Sequence, residues 1–148
     1  MEIQYGIKSL VEESYKFNYD FNYSEMSPNE VGFQIGHSLQ LNKKDDEITI
    51  RVFARAVYGD SDIELASDSV RAAFVVKPFD SVVEEVTDEG VRVSNAQLVD
   101  TFINVAFGAL RGMFAKSLRN TPLDGHVLPL IPMGVIHDNA VAKGKKGK

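Results

Sequence analysis

The sequence predicts an α+β fold: a four-stranded antiparallel sheet, arranged as a meander, with one long and one short helix packed on one face. Three observations predict it. Four stretches between Ser14 and Val76 alternate in polarity with a period of two, which marks half-buried strands. The connections between them are brief and rich in turn residues, which suits antiparallel neighbours. One stretch near residues 95–119 carries apolar residues at helical spacing.

Residues 1–13 hold Ile3, Ile7, Leu10 and Val11 at spacings of three and four. That suits a short amphipathic helix, although Gly6 weakens it and a leading edge strand competes. Ser14 to Tyr23 then reads S-Y-K-F-N-Y-D-F-N-Y, with a ring at every odd position. A strand would place Tyr15, Phe17, Tyr19, Phe21 and Tyr23 on one side of a sheet. Turn chemistry around Ser27, Pro28 and Asn29 separates it from the next run, Val31, Phe33, Ile35, His37, Leu39 and Leu41. Gly32 and Gly36 fall on the opposite face of that strand, where glycine points to a bulge, a bend or something packed close.

Asn42 to Asp46 forms a tight polar connection, and the third run is Ile48 to Tyr58 on even positions, with Arg51 and Arg55 opposite. Gly59 to Asp62 breaks it. The fourth run, Val70 to Val76, is apolar on both faces and so more buried, and Lys77 and Pro78 end it. Asp80 to Gly90 is acidic without a clear period, which reads as an irregular crossover with room for a helical turn. Ser94 followed by Gln97 makes a capping box for a helix over 95–119, with Asn120 and Pro122 as stop signals. Its apolar residues cover more than one stripe, so a second partner surface is implied. Gly108, Gly112 and Ala115 would let another backbone approach closely. Thr121 to Ile136 is apolar but interrupted by Pro122, Pro129 and Pro132. It must pack on something, and Met133 to Ile136 opens a last short helix or strand.

The chain of 148 residues suits one domain over 1–138, followed by a disordered Gly/Lys-rich tail over 139–148. The net charge is −5, but Lys143, Lys145, Lys146 and Lys148 close the chain, so the rest carries −9. An acidic body does not match a phosphate backbone, so no nucleic-acid partner is expected. With no cysteine, neither disulfides nor thiolate sites can form. No apolar run reads as a membrane span, and the start lacks a secretory signal, so the expected compartment is the cytoplasm.

A search for catalytic chemistry finds none. His37, His126 and His137 stand in no metal-binding spacing, and no nucleophile elbow, phosphate loop or dinucleotide fingerprint is present. His37 falls on the apolar phase of its strand and reads as a core or groove histidine. Asp60, Asp62 and Glu64 resemble half of a calcium loop without the remaining ligands. No metal, cofactor or catalytic residue is assigned, and the chain is not expected to be an enzyme.

The order of these elements resembles the SecB export-chaperone family over roughly residues 12–136. The resemblance is carried best by S-N-A-Q-L-V-D-T-F-I-N-V-A-F-G-A-L-R-G-M-F-A-K-S-L-R-N-T-P-L-D-G-H-V-L-P-L-I-P-M, a long helix, a short turn, a proline, an apolar loop and another proline. It implies an ATP-independent holdase for unfolded or nascent polypeptides, built as a homotetramer (a dimer of dimers) with the long helices between two sheets. Client-binding candidates are then Tyr15, Phe17, Tyr19, Phe21, Tyr23, Phe33, Leu128, Leu130 and Ile131. Phe107, Gly108, Arg111, Gly112 and Ala115 would face another subunit. Family members that deliver preproteins dock a translocation ATPase through acidic surfaces. Here Arg51, Arg55 and Arg71 stud the strands and the tail is basic, which puts that partner in doubt. A SecB-like regulator of a specific protein, such as a toxin–antitoxin pair, fits as well. The competing class is a small-molecule binder or enzyme of hot-dog or cystatin type, with His37, Asp100 and Asn104 as its candidate polar groups.

Overall fold

The computed structural model describes the backbone of residues 2–87, 90–93 and 95–132, and the side chains of these except at 61, 83–87 and 90–93. Strands β1 (Gln4–Phe17), β2 (Val31–Asn42), β3 (Glu47–Tyr58) and β4 (Ile63–Lys77) form one antiparallel sheet. A hairpin of β5 (Val83–Thr87) and β6 (Gly90–Val93) follows, and then helix α1 (Ala96–Ser117). This is an α+β fold with a single long helix. Among the described residues no second α-helix occurs, and 3₁₀ turns take the connections. Met133–Ile136, His137, the tail and the Ser94 cap lie outside the described residues.

The sheet order is β1-β4-β3-β2. Strands β2, β3 and β4 form the expected meander, but β1 lies beyond β4 instead of beside β2, which is Greek-key order. Both hairpin connections are 3₁₀ turns closed by an aspartate in the left-handed region, Asp46 (φ 56°) and Asp62 (φ 57°). Aspartate tolerates that conformation better than most residues.

From Gln4 onward the N-terminal segment is strand and not helix. Two irregularities, between Ile7 and Ser9 and between Glu12 and Ser14, break the β1 register. Each extra residue reverses which side the following side chains face. Ile7 and Leu10 therefore share the face of their partners Phe74 and Ala72 although they stand three apart. The aromatic strand read over 14–23 is shorter than its alternation implied, because β1 stops at Phe17. The segment 80–90 also differs from the expected irregular crossover, since the β5–β6 hairpin occupies it.

The core lies between α1 and one face of the sheet. Ile48, Ile50, Val52, Val70, Ala72 and Val76 on that face are fully buried, and Leu98, Phe102, Phe107, Leu110 and Phe114 of α1 cover them. By length and composition α1 could cross a membrane, but in this fold its apolar side is taken by the sheet. Its N-cap is Asn95, whose Oδ1 accepts from the Leu98 N–H at 3.1 Å. The stop signal acts as read, with Asn120 left-handed at φ 64° just past the helix. On the outer sheet face Arg51 bonds Glu13 (3.2 Å) and Gln40 (3.0 Å), while Arg55 bonds Glu64 (2.8 Å) and Gln34 (2.7 Å). There the Phe53 ring lies directly over Gly36, in the space a Cβ would fill. That close packing, not a bulge, explains this glycine.

Candidate functional site

The site is built where β1 ends. Past Phe17 the chain turns because Asn18 is fastened to the end of β4, its N–H donating to Leu65 O (2.8 Å) and its Nδ2 to Glu64 O (3.0 Å). Asn18 Oδ1 accepts from the Asp20 N–H at 2.9 Å, closing an Asx turn. The remaining rings fold back instead of continuing along a strand. Tyr23 stacks on Phe17 (centroids 5.5 Å apart), Tyr19 tilts against Phe17 (4.9 Å), and Phe21 sits between Tyr23 (5.0 Å) and Tyr58 (5.1 Å). Tyr15 and Phe33 both meet Phe114 edge-on, at 6.4 and 6.1 Å. Tyr15 and Phe17 thus share the helix side of the sheet by strand alternation, and a turn, not strand periodicity, brings the last three rings to them.

Apart from Tyr19, these rings are neither core nor freely exposed. Phe17, Phe21, Tyr23, Phe33 and Tyr58 are half-buried against the core, and Tyr19 is 83% exposed. Tyr23 donates its hydroxyl to Asn18 O (2.6 Å), Tyr58 accepts from the Ser27 N–H (2.9 Å), and Tyr15 reaches Ser117 O at 3.4 Å. Burial raises the Tyr15 and Tyr23 phenols above the ordinary tyrosine range, with Tyr19, Asp68 and Glu12 adding at Tyr15. Tyr58 and Phe114 were not singled out as site residues by sequence. The signal was there in Tyr58 closing the even-numbered series of its strand, but a helix phenylalanine among many gives no such hint.

The proline-interrupted segment is held on the last turns of α1. Arg111 donates through Nε to Leu128 O (2.8 Å) and through a terminal nitrogen to Pro129 O (3.0 Å). Leu128 is buried, Ile131 is half-buried and Leu130 is 85% exposed. Arg111 therefore braces this chain's own segment. Phe107, 2% exposed, faces the sheet, where His37 meets its ring edge at 6.3 Å. The outward face of α1 presents Thr101, Asn104, Val105, Gly108 and Gly112, with open space above both glycines. Ala115 lies at its margin.

A depression of about 350 Å³ near the start of α1 is lined by Ile3, Tyr5, Asn95, Gln97, Leu98 and Thr101. His37, Asp100 and Asn104 do not line it. Asp62 and Glu64 are engaged by Gln34 and Arg55. Among the described residues no three histidines or acids come together as a metal site.

One polar group is out of place. Asp68, on the helix face of β4, is 2% exposed, and its carboxylate makes no close side-chain hydrogen bond to a donor. Burial pushes it up to about 8, the Glu12 carboxylate beside it pushes the same way, and only the Ser69 backbone N–H draws it the other way.

No protein-family model and no curated protein matches the chain. Among solved structures, the chain is similar to the SecB-like chaperone Rv1957 of Mycobacterium tuberculosis in complex with a ChAD peptide from the HigA1 antitoxin. The TM-score is 0.56 and the identity 9%, over 86% of this chain and 91% of that one. A protein of unknown function from Streptococcus agalactiae is matched over 89% of this chain and 100% of that one, at 10% identity and a TM-score of 0.35, too low to carry an argument. The likeness to the chaperone is one of fold.

Proposed function

We propose that the chain is a SecB-like holdase, which binds non-native polypeptide in extended form without nucleotide and without catalysis, in the cytoplasm. The observation that carries this reading is the run of half-buried rings from Tyr58 through Phe21 and Tyr23 to Phe17, with the open Tyr19 at its end, on a SecB-like fold. Rings offer large contact area with little side-chain entropy to lose, and they tolerate many client sequences. The exposed Leu130 beside half-buried Ile131 supplies a second apolar contact. In this reading the chain works as a homo-oligomer, a dimer or a tetramer, whose contact is the small-residue face of α1 at Gly108 and Gly112.

A second reading has a specific observation behind it: the neighbour in the comparison holds a peptide from an antitoxin. On that reading this chain serves one dedicated partner instead of many clients, and docking to a translocation ATPase plays no part.

Aggregation of several unrelated unfolded proteins, followed with stoichiometric amounts of the chain and no ATP, tests the first reading. Suppression is expected for most of them. In the Phe17→Ser/Phe21→Ser variant client affinity should fall at least tenfold, while stability falls by about 1–2 kcal/mol per half-buried ring. Protection of a single protein and no other would shift the conclusion to the dedicated-partner reading. Protection of none would sink both general and export roles. Light scattering gives the mass, and a stable monomer would remove the oligomer from the proposal.

A further inference from the structure

Asp68 stands in the middle of a sheet face that is apolar apart from Glu12, Tyr15 and His37. Its neighbours along β4 on that face, Ala66 and Val70, are buried, and its partner across β3 is Ala54. Its partner on β1 is Tyr15, and Glu12 is opposite Val70, so the second irregularity in β1 brings Glu12 and Tyr15 to the same side as Asp68. Among the described residues no cation faces it from the elements around it. Arg71 and Arg51 lie on the outer face with Glu13, and Arg55 with Glu64. On α1, Arg111 is committed to the Leu128 and Pro129 carbonyls, and Phe114 stands against Tyr15. His37 of β2 is in the row of Val52 and Val70, two strands away, against Phe107. Besides the Ser69 backbone N–H, the side chain within reach of Asp68 is therefore another acceptor, Glu12. Two carboxylates side by side can bond only through a shared proton, and a buried one that stays charged without a partner is very costly.

We infer that Glu12 and Asp68 share one proton, and that this carboxyl–carboxylate bond latches the end of β1, with Tyr15 and Phe17, onto the sheet. The proton resides on Asp68 and is donated to the exposed Glu12 carboxylate. Its loss to solvent leaves two negative charges beside the Tyr15 phenol, and the end of the edge strand is pushed away from β4. The aromatic wall at the end of β1 is thereby under proton control. This inference does not depend on what the wall binds.

The sign of the effect is definite. The folded-state value of Asp68, about 8, is above its ordinary 3.8, so the folded protein carries an extra proton between them. Stability is therefore highest at the acid side of that window and is lost as pH rises through it, by about tenfold in the unfolding constant per pH unit. Urea unfolding of the full chain and of Asp68→Asn at several pH values between 5.5 and 9 tests this. The histidines and other acids are common to both and cancel in the difference. The wild-type chain should lose one proton's worth of slope more than the variant, and the variant should be the more stable above pH 8. Equal slopes would overturn the shared proton. If the variant does not fold, the carboxyl carbon resonance of Asp68 in the labelled wild-type chain decides, with a midpoint near 8 expected and one near 4 fatal. Glu12→Gln should move that midpoint down. Hydrogen exchange tests the latch itself: above pH 8, after correction for intrinsic rates, protection should fall over Ser14–Phe17 and hold in β3. A uniform fall across the sheet would overturn it.

Discussion

The two ends of the core face use the same residue types to opposite effect. At the end near the start of α1, Phe74 and Phe102 stack with centroids 4.2 Å apart and planes 9° from parallel, both almost fully buried. Tyr5 adds an edge contact to Phe102 at 6.0 Å. At the other end Phe17, Phe21, Tyr23 and Tyr58 make more ring contacts yet remain half-buried, and Tyr19 lies almost open. The difference is in what supports them. The first pair sits on regular positions of a central strand and a helix, with backbone on every side. In the second group Phe17, Phe21 and Tyr23 hang on an edge strand that stops and on the Asx turn at Asn18, and Tyr58 is the last residue of its strand. A ring on a central element is closed in by its neighbours, whereas a ring on a departing chain keeps a free face. Ring type alone therefore does not separate core from contact surface, and the backbone route does.

The largest effect that could break this comparison is expected at Phe114, which touches both Tyr15 and Phe33 while being 1% exposed itself. If the open end is a surface resting on core, then Phe114→Ala creates a cavity and costs about 3–5 kcal/mol in chemical unfolding. The rings above it lose their support, so on the proposed holdase reading client binding falls as well. Loss of only about 1 kcal/mol would mean that the open end is not anchored through α1, and the distinction between the two ends would fail.

How far the sequence showed this arrangement depends on whether the local period was intact. Strands β2 and β3 pair without a break or nearly so, and Val31 to Leu41 and Ile48 to Tyr58 were legible from alternation alone. The helix was legible from its apolar spacing and from Asn120, although its cap is Asn95, one residue later than the Ser94 motif suggested. Strand β1 was obscured because its two register shifts turn a period of two into spacings of three, as from Ile7 to Leu10, which imitates a helix. Pairing of β1 with β4 is a long-range choice that leaves no local periodicity. The aromatic cluster was half legible: the alternation named the right five rings, but the Asn18 turn that gathers the last three depends on carbonyls of β4, far along the chain. Asp68 is not legible as a buried group because an aspartate between two serines, Ser67 and Ser69, reads as solvated.

A smaller effect sharpens the comparison from the closed end. Asn95→Ala removes the bond to the Leu98 N–H and leaves a first-turn donor of α1 without its cap. The expected loss is about 1 kcal/mol in urea unfolding. Fraying of that turn reaches Leu98 and the Phe102 stack, but not the rings around Phe17. Client affinity should therefore stay within about twofold of the unmodified chain, a result that isolates the two ends from each other. A parallel loss of affinity would show that α1 transmits disorder along its length.

The smallest effect expected belongs to Tyr15, which sits between the regular sheet and the departing chain. Its hydroxyl reaches Ser117 O at 3.4 Å, a long bond. Phenylalanine keeps the edge contact with Phe114 and gives up that bond, so Tyr15→Phe should cost no more than about 0.5 kcal/mol, at the low end for a hydrogen bond. The ring wall stays in place, since Phe17, Tyr23 and Phe21 hold one another without the Tyr15 hydroxyl. A loss near that of Phe114→Ala would instead place Tyr15 with the closed end. The boundary between core and contact surface would then lie past Phe17, where the strand ends, and not at the first of the five rings.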